Sequence, residues 1–242
     1  MKLLIIRHGD PDYVKDSLTE QGWKEAECLA ERLSKLDIRQ FYVSPLGRAK
    51  DTASQTLKKM GRTAQECQWL REFSPTIQRP DREKKTIVWD WLPEDWTCVK
   101  EFYDRDQWKH TRVMKDGGVD QEYEWVSQSL DQLLAEYGYL RKDNYYQVTE
   151  ENTDTLVFFT HFGAGCVLVS HLLGISPMLL WHGCCAAPSS VTTLVTEERR
   201  KGAAYFRMSS FGDISHLYAV GEQPSVAARF CECFGNVDER HD

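Results

Sequence analysis

His8 and His161 each stand directly after a short run of strand-type residues: Leu3–Ile6 runs into Arg7-His8-Gly9, and Thr155–Thr160 runs into His161. An unbroken aliphatic run is the mark of a parallel strand buried on both faces, and ligands in such sheets bind just beyond the strands' carboxyl ends. Both imidazoles are therefore expected at the same rim. Arg48 follows Ser44-Pro45, a pairing that reads as a helix N-cap with proline at the first helical position. That places Arg48 in a first helical turn, where the helix dipole favours an anion. A neutral imidazole can attack phosphorus, and guanidinium forks match phosphoryl oxygens. Given a proton source for the departing oxygen, the set suits phosphoryl transfer to histidine. Each residue has a plainer reading when taken alone. His161 could be a core histidine and Arg48 a solvated helix residue, and an isolated RHG tripeptide carries little information.

The elements that must hold these residues follow from periodicity. Strands are expected at residues 2–6, 40–43, 155–160 and 190–196, with a further strand over 203–208 joined to the last by the charged turn 197–202. Thr19 opens a helix whose packing face is Trp23, Ala26, Ala30 and Leu33. A second helix buries Leu46, Ala49, Ala53, Leu57 and Met60 and stops at Gly61, and a third runs from Phe162 to Leu173 and stops at Gly174. The predicted fold class is α/β: a mainly parallel central sheet with helices on both faces. Between residues 76 and 150 the pattern changes. Trp89, Trp91, Trp96, Trp108 and Trp125 lie among many charges, which predicts a mostly helical cap insertion with tryptophans at its core. Residues 236–242 read as a frayed tail.

Composition narrows the function classes. The chain of 242 residues suits one α/β domain carrying an insertion. Apolar residues at 41% and aromatics at 12% supply a substantial core. A net charge of −7 without long basic runs argues against nucleic acid as partner. No stretch reaches the length of a membrane span, and the apolar start MKLLIIRHG is too short for a signal peptide, so a cytoplasmic location is expected. In that compartment the eight cysteines are expected to stay as thiols. Their spacing around Cys184-Cys185 and Cys231–Cys233 lacks a CxxC pair, so neither metal nor cofactor is expected. Oligomeric state is left open.

Together, LIIRHGDPDY with LTEQG behind it, SPLGRAKDTA, TLVFFTHFGAG and FGDISHL resemble the histidine phosphatase superfamily, the phosphoglycerate mutase-like group, over most of the chain. The resemblance implies that His8 is the phosphorylated nucleophile and that Arg7, Arg48 and His161 line the phosphate pocket. It also implies a carboxylate acid in an L-x-E context, which matches Leu70-Arg71-Glu72 and makes Glu72 the expected proton donor. Asp10, Asp12 and Asp81 are the other carboxylates that could reach the same leaving group. His216 in FGDISHL is expected to hold a turn near the site, and His110, His171, His182 and His241 are expected to be structural. Val14 replaces an asparagine usual in the mutases, and Glu72-Phe73-Ser74-Pro75 replaces their glycine-rich element. The Asp10-Pro11-Asp12-Tyr13 loop is more similar to small bacterial-type phosphatases. The resemblance thus implies a histidine acid-type phosphatase hydrolysing a small phosphorylated metabolite, with a phosphoglycerate-type mutase, or a catalytically silent phospho-ligand binder, as alternatives.

Overall fold

Leu3, Leu4, Ile5 and Ile6 are all buried because their strand lies inside a broad sheet, with alternate side chains entering two different cores. The computed structural model describes residues 1–242 apart from Val237. Its eight-stranded sheet contains, in chain order, β1 (Lys2–Arg7), β2 (Gln40–Val43), β3 (Gln65–Glu66), β4 (Tyr139–Lys142), β5 (Tyr145–Val148), β6 (Thr155–Thr160), β7 (Val191–Arg200) and β8 (Ala203–Asp213). Across the sheet they run β3-β2-β6-β1-β7-β8-β5-β4. The principal helices are α1 (Glu20–Leu33), α2 (Gly47–Met60), α3 (Val119–Glu136), α4 (Phe162–Leu173) and α5 (Pro177–Gly183).

One face packs Leu4, Ile6, Phe41, Val157 and Phe159 against α1 and α2. The other packs Leu3, Ile5, Leu156 and Phe158 against α3, α4 and α5. Thr19 caps α1 as its side chain accepts from the Gly22 amide, and Gly61 and Gly174 end α2 and α4 in the left-handed conformation.

Three expectations need correction. The sheet is mixed: β3, β2, β6 and β1 are parallel, but β7, β8, β5 and β4 join by antiparallel pairing. The chain enters β7 at the rim where β1 ends, since the Arg7 amide donates to the Ser190 carbonyl and the Ser189 amide to the His8 carbonyl. No crossover separates the two ends, so β7 must run back. Residues 76–150 do not make up a single helical cap. Only the stretch before α3 consists of short turns and a Thr76–Ile77/Thr86–Ile87 ribbon; α3 packs on the sheet, and the β4–β5 hairpin extends it. Among the tryptophans, Trp91 and Trp108 are buried in the same core as α4, whereas Trp125 is partly exposed under Arg71. Third, the C-terminal residues fold back as a ribbon, Glu232–Cys233 against Asn236–Arg240, with Asp242 paired to Arg229 and Arg240.

Candidate active site

Parallel pairing of β1 and β6 sets Arg7 opposite Thr160, so His8 and His161 leave the sheet side by side. Their ring centroids are 5.0 Å apart, tilted by 59°. The His8 Nδ1–H donates to the Gly9 carbonyl at 2.8 Å. A carbonyl only accepts, so Nδ1 carries the proton and Nε2 of the neutral ring keeps its lone pair. Burial holds the His8 pKa well below the ordinary histidine value, helped by the charges of Arg7 and Arg48. His161 is depressed in the same way by burial, then by His8, Arg48 and Arg7.

The His161 Nε2 lies 2.7 Å from the Ser44 hydroxyl. Ser44 is therefore part of this site and not the helix cap its sequence suggested. The N-cap of α2 is Leu46, and the Ser44 hydroxyl accepts from the Leu46 amide at 3.2 Å. Arg48 is in the first turn as expected. Its Nη1 donates to Asp16 Oδ1 at 2.6 Å, while Asp16 Oδ2 accepts from the Gly47 amide at 2.7 Å. Burial raises the Asp16 pKa, but the Gly47 amide and Arg48 outweigh it and hold the carboxylate below its usual range. Thr52 on α2 accepts from the Gly9 amide at 2.9 Å and fixes the loop after His8.

Glu72 sits at the N-terminus of α4, where its Oε1 accepts from the Phe73 amide at 2.8 Å and the Ala164 amide at 3.0 Å. Thr160 at the end of β6 donates to the Leu70 carbonyl at 2.8 Å and so fixes the turn before Glu72. Burial raises the Glu72 pKa above the usual value against the pull of those amides, Arg48 and Arg7. The other carboxylates are committed elsewhere. Asp10 bonds Thr19 and Ser225, Asp12 bonds Lys15, and Asp81 grips Arg79 with both oxygens.

Arg7 is almost wholly enclosed. Its Nη1 donates to the Ala186 carbonyl at 2.5 Å and its Nη2 to the Ala227 carbonyl at 2.9 Å, while Nε has no protein partner among the described residues. Ala227 belongs to a C-terminal strap laid across the loop after His8. Glu25 on α1 anchors it, accepting the Asp10 amide at 2.8 Å on one oxygen and the Ser225 amide at 3.0 Å on the other. Burial pushes the Glu25 carboxyl up to about 7. His216, as expected, holds a turn beside the site: its Nε2 lies 3.1 Å from the Ser189 hydroxyl, and the Ser189 amide binds the His8 carbonyl.

Sequence reading missed Ser44, Asp16, Thr52, Glu25 and the strap. Only Glu25 left a trace, as a charge within the apolar stripe Gly22, Ala26, Leu29 and Leu33 that α1 buries. A carboxylate there needs partners. The others act through bonds between residues far apart in the chain.

Residues 3–113 match the family described as histidine phosphatase superfamily (branch 1). The 2,3-bisphosphoglycerate-dependent phosphoglycerate mutase of Thermoplasma acidophilum is 43% identical over 60 residues, covering 21% of this chain and 30% of that one. The mitochondrial serine/threonine-protein phosphatase Pgam5 of Drosophila ananassae is 32% identical over 111 residues, covering 42% of this chain and 35% of that one. The chain thus spans about a third of the length of the curated relatives it matches. Among solved structures, a phosphoserine phosphatase from Entamoeba histolytica in complex with phosphoserine shares the fold with a TM-score of 0.55 and 21% identity, covering 89% of this chain and 98% of that one. A mycobacterial glucosyl-3-phosphoglycerate phosphatase in complex with VO3 gives 0.55 and 22%, covering 87% and 98%, and YhfR of Bacillus stearothermophilus gives 0.55 and 19%, covering 89% and 98%. The match to the histidine phosphatase superfamily (branch 1) takes in the RHG motif, the helix bearing Arg48 and the turn bearing Glu72, and the solved structures share the fold over most of the chain.

Proposed function

We propose that the chain is a phosphomonoesterase that hydrolyses a small phosphorylated metabolite through a covalent phosphohistidine on His8. The observation that carries this reading is the state of His8: a buried neutral ring whose Nδ1–H is spent on the Gly9 carbonyl, leaving Nε2 as a nucleophile beside Arg48 and His161. In the proposed reaction Nε2 attacks phosphorus while Arg7, Arg48 and His161 hold the non-bridging oxygens. Glu72 gives its proton to the departing alcohol. Water then attacks the phosphohistidine, Glu72 takes back a proton, and inorganic phosphate leaves. No step calls for a metal.

The substrate class is supported by relatives whose structures were solved with phosphoserine and 3-phosphoglyceric acid, both small alkyl phosphates. Hydrolysis is favoured over mutase transfer by the Asp10-Pro11-Asp12-Tyr13 loop and by Val14. Rapid acid-free quenching during turnover of such a substrate is expected to trap one phosphate per chain, stable to alkali and labile to acid, and absent in His8→Ala. A phosphoenzyme that persists in His8→Ala overturns the assignment. Delivery of that phosphate to an added phosphoglycerate instead of water establishes the mutase reading.

A further inference from the structure

The two Nη donors of Arg7 are held by two separate backbone segments, through the carbonyls of Ala186 and Ala227. Each segment carries a cysteine close by: Cys185 directly precedes Ala186, and Cys231 lies on the strap beyond Ala227. Their Sγ atoms are 3.6 Å apart. Both also donate to one carbonyl, that of Arg229, at 3.3 Å and 3.1 Å. We propose that Cys185 and Cys231 are an oxidation site, and that the disulfide they form pins the C-terminal strap across Arg7 and closes the phosphate pocket. The proposal rests on the phosphatase reading above.

The two sides of the pair differ in freedom. The Cys185 segment is packed against β8, where a side chain on Gly212 would meet the Cys185 carbonyl at 2.8 Å and the Ala186 Cα at 3.3 Å. The strap has no comparable anchorage. Val226, Phe230 and Phe234 on it are exposed, so its hold is polar: Gln21 to the Gln223 carbonyl, Glu25 and Asp10 to Ser225, and Arg7 to Ala227. Ala228 and Phe230 also take left-handed backbone angles, at φ 50 and 56, which non-glycine residues adopt only when held. A segment without buried apolar side chains opens readily, and release of the strap frees Nη2 of Arg7 for a phosphoryl oxygen. A covalent tie removes that freedom. The loop it closes joins residues 46 apart in the chain.

The chemistry balances with a hydroperoxide as oxidant. The exposed Cys185 thiolate attacks the peroxide oxygen, giving a sulfenic acid and, with one proton, water. Burial and the contact with Cys185 push the Cys231 thiol up to about 11, so it enters second as the resolving thiol. It attacks the sulfenic sulfur, the S–S bond forms and a second water departs. Two thiols and one hydrogen peroxide thus become one disulfide and two waters, and a reducing thiol reverses the change. Among the described residues no three metal-binding side chains converge.

The test is to treat the reduced full chain with stoichiometric hydrogen peroxide and map the linkage by peptide mass. Inorganic phosphate binding, p-nitrophenyl phosphate hydrolysis and hydrogen exchange over residues 222–231 are followed before and after. The expected result is a Cys185–Cys231 disulfide, slowed exchange in the strap, and a loss of phosphate affinity and hydrolysis of about tenfold or more, set by the shrunken open population. Dithiothreitol is expected to restore both, and Cys185→Ser and Cys231→Ser to resist the oxidant. Absence of the linkage, a linkage that leaves affinity unchanged, or an equal loss in Cys231→Ser overturns the proposal. A reduced protein that neither binds nor hydrolyses phosphate speaks against the phosphatase reading itself, and strap exchange then still decides whether the disulfide secures the strap.

Discussion

Glu72 and His8 have been moved in opposite directions by the same burial, and the consequence is a definite pH profile. The proposed reaction needs His8 neutral and Glu72 protonated at once. The depressed His8 pKa keeps the nucleophile available below the ordinary histidine range, and the raised Glu72 pKa keeps the acid protonated above the ordinary carboxylate range. On an alkyl phosphate the rate is therefore expected to fall on the acid side as His8 takes up a proton and on the alkaline side as Glu72 loses one. In Glu72→Gln that alkaline limb should vanish together with about 100-fold of the rate on the alkyl substrate. On p-nitrophenyl phosphate, whose leaving group departs without a proton, the loss should be far smaller. Equal losses on the two substrates, measured as kcat/KM, would rule out the acid role. Ser44→Ala removes the partner of His161 and is expected to weaken phosphate binding about fivefold, the worth of one hydrogen bond of about 1 kcal/mol, as read by titration. His8, Arg48 and His161 could be nominated as candidates because each follows a strand or opens a helix in the chain, whereas Arg7 and Glu72 were nominated through the motifs around them. Ser44 was not, since its local pattern matched a helix cap and only the packing of β2 beside β6 aims its hydroxyl at an imidazole.

Two elements meet where Glu72 caps α4, and the meeting depends on a missing side chain. A Cβ at position 163 would lie 2.5 Å from Trp89 Nε1 and 2.8 Å from Glu72 Oε1. Gly163→Ala is thus expected to displace the acid while leaving His8 and Arg48 in place. It should reproduce the Glu72→Gln signature, a loss of tenfold or more on alkyl phosphates by analogy with general acid removal and little on aryl phosphates, measured by the same substrate pair. Equal losses would show that α4 as a whole had moved. The strands and helices around the site were readable from apolar runs and helical periodicity. The direction of β7 was not, because an apolar run looks the same either way and the decision lies in where Ser189 and Ser190 meet β1. Charge and tryptophan content hid α3 and the β4–β5 hairpin, whose apolar faces turn toward the shared core.

For the molecule as a whole, Glu25 ties global stability to pH. Burial pushes its carboxyl in the folded protein up to about 7, against an ordinary glutamate value of about 4.5 in the unfolded chain. The folded state therefore holds the extra proton between those values, and the stabilisation is complete below about pH 4.5 and lost as pH rises through about 7. The expected loss is of order 3 kcal/mol, on the scale of 1.36 kcal/mol per unit. Urea unfolding across pH 5 to 8 should show this slope in the native protein and a flattened one in Glu25→Gln. A slope of unchanged size in the variant would assign it to other groups.

The central position of β1 also sets the order in which this protein can be made. Residues 2–7 leave the ribosome long before their two sheet neighbours, residues 155–160 and 191–195. At about 5–20 residues per second, an apolar strand with both edges unpaired waits roughly 10–40 s for its partners. The nascent chain is then most exposed to aggregation at the very residues that become Arg7 and His8, and refolding from denaturant must close the same long loops before the pocket exists. Translation stalled after residue 150 should leave this segment sensitive to protease, and protection should arrive only once β7 has cleared the exit tunnel.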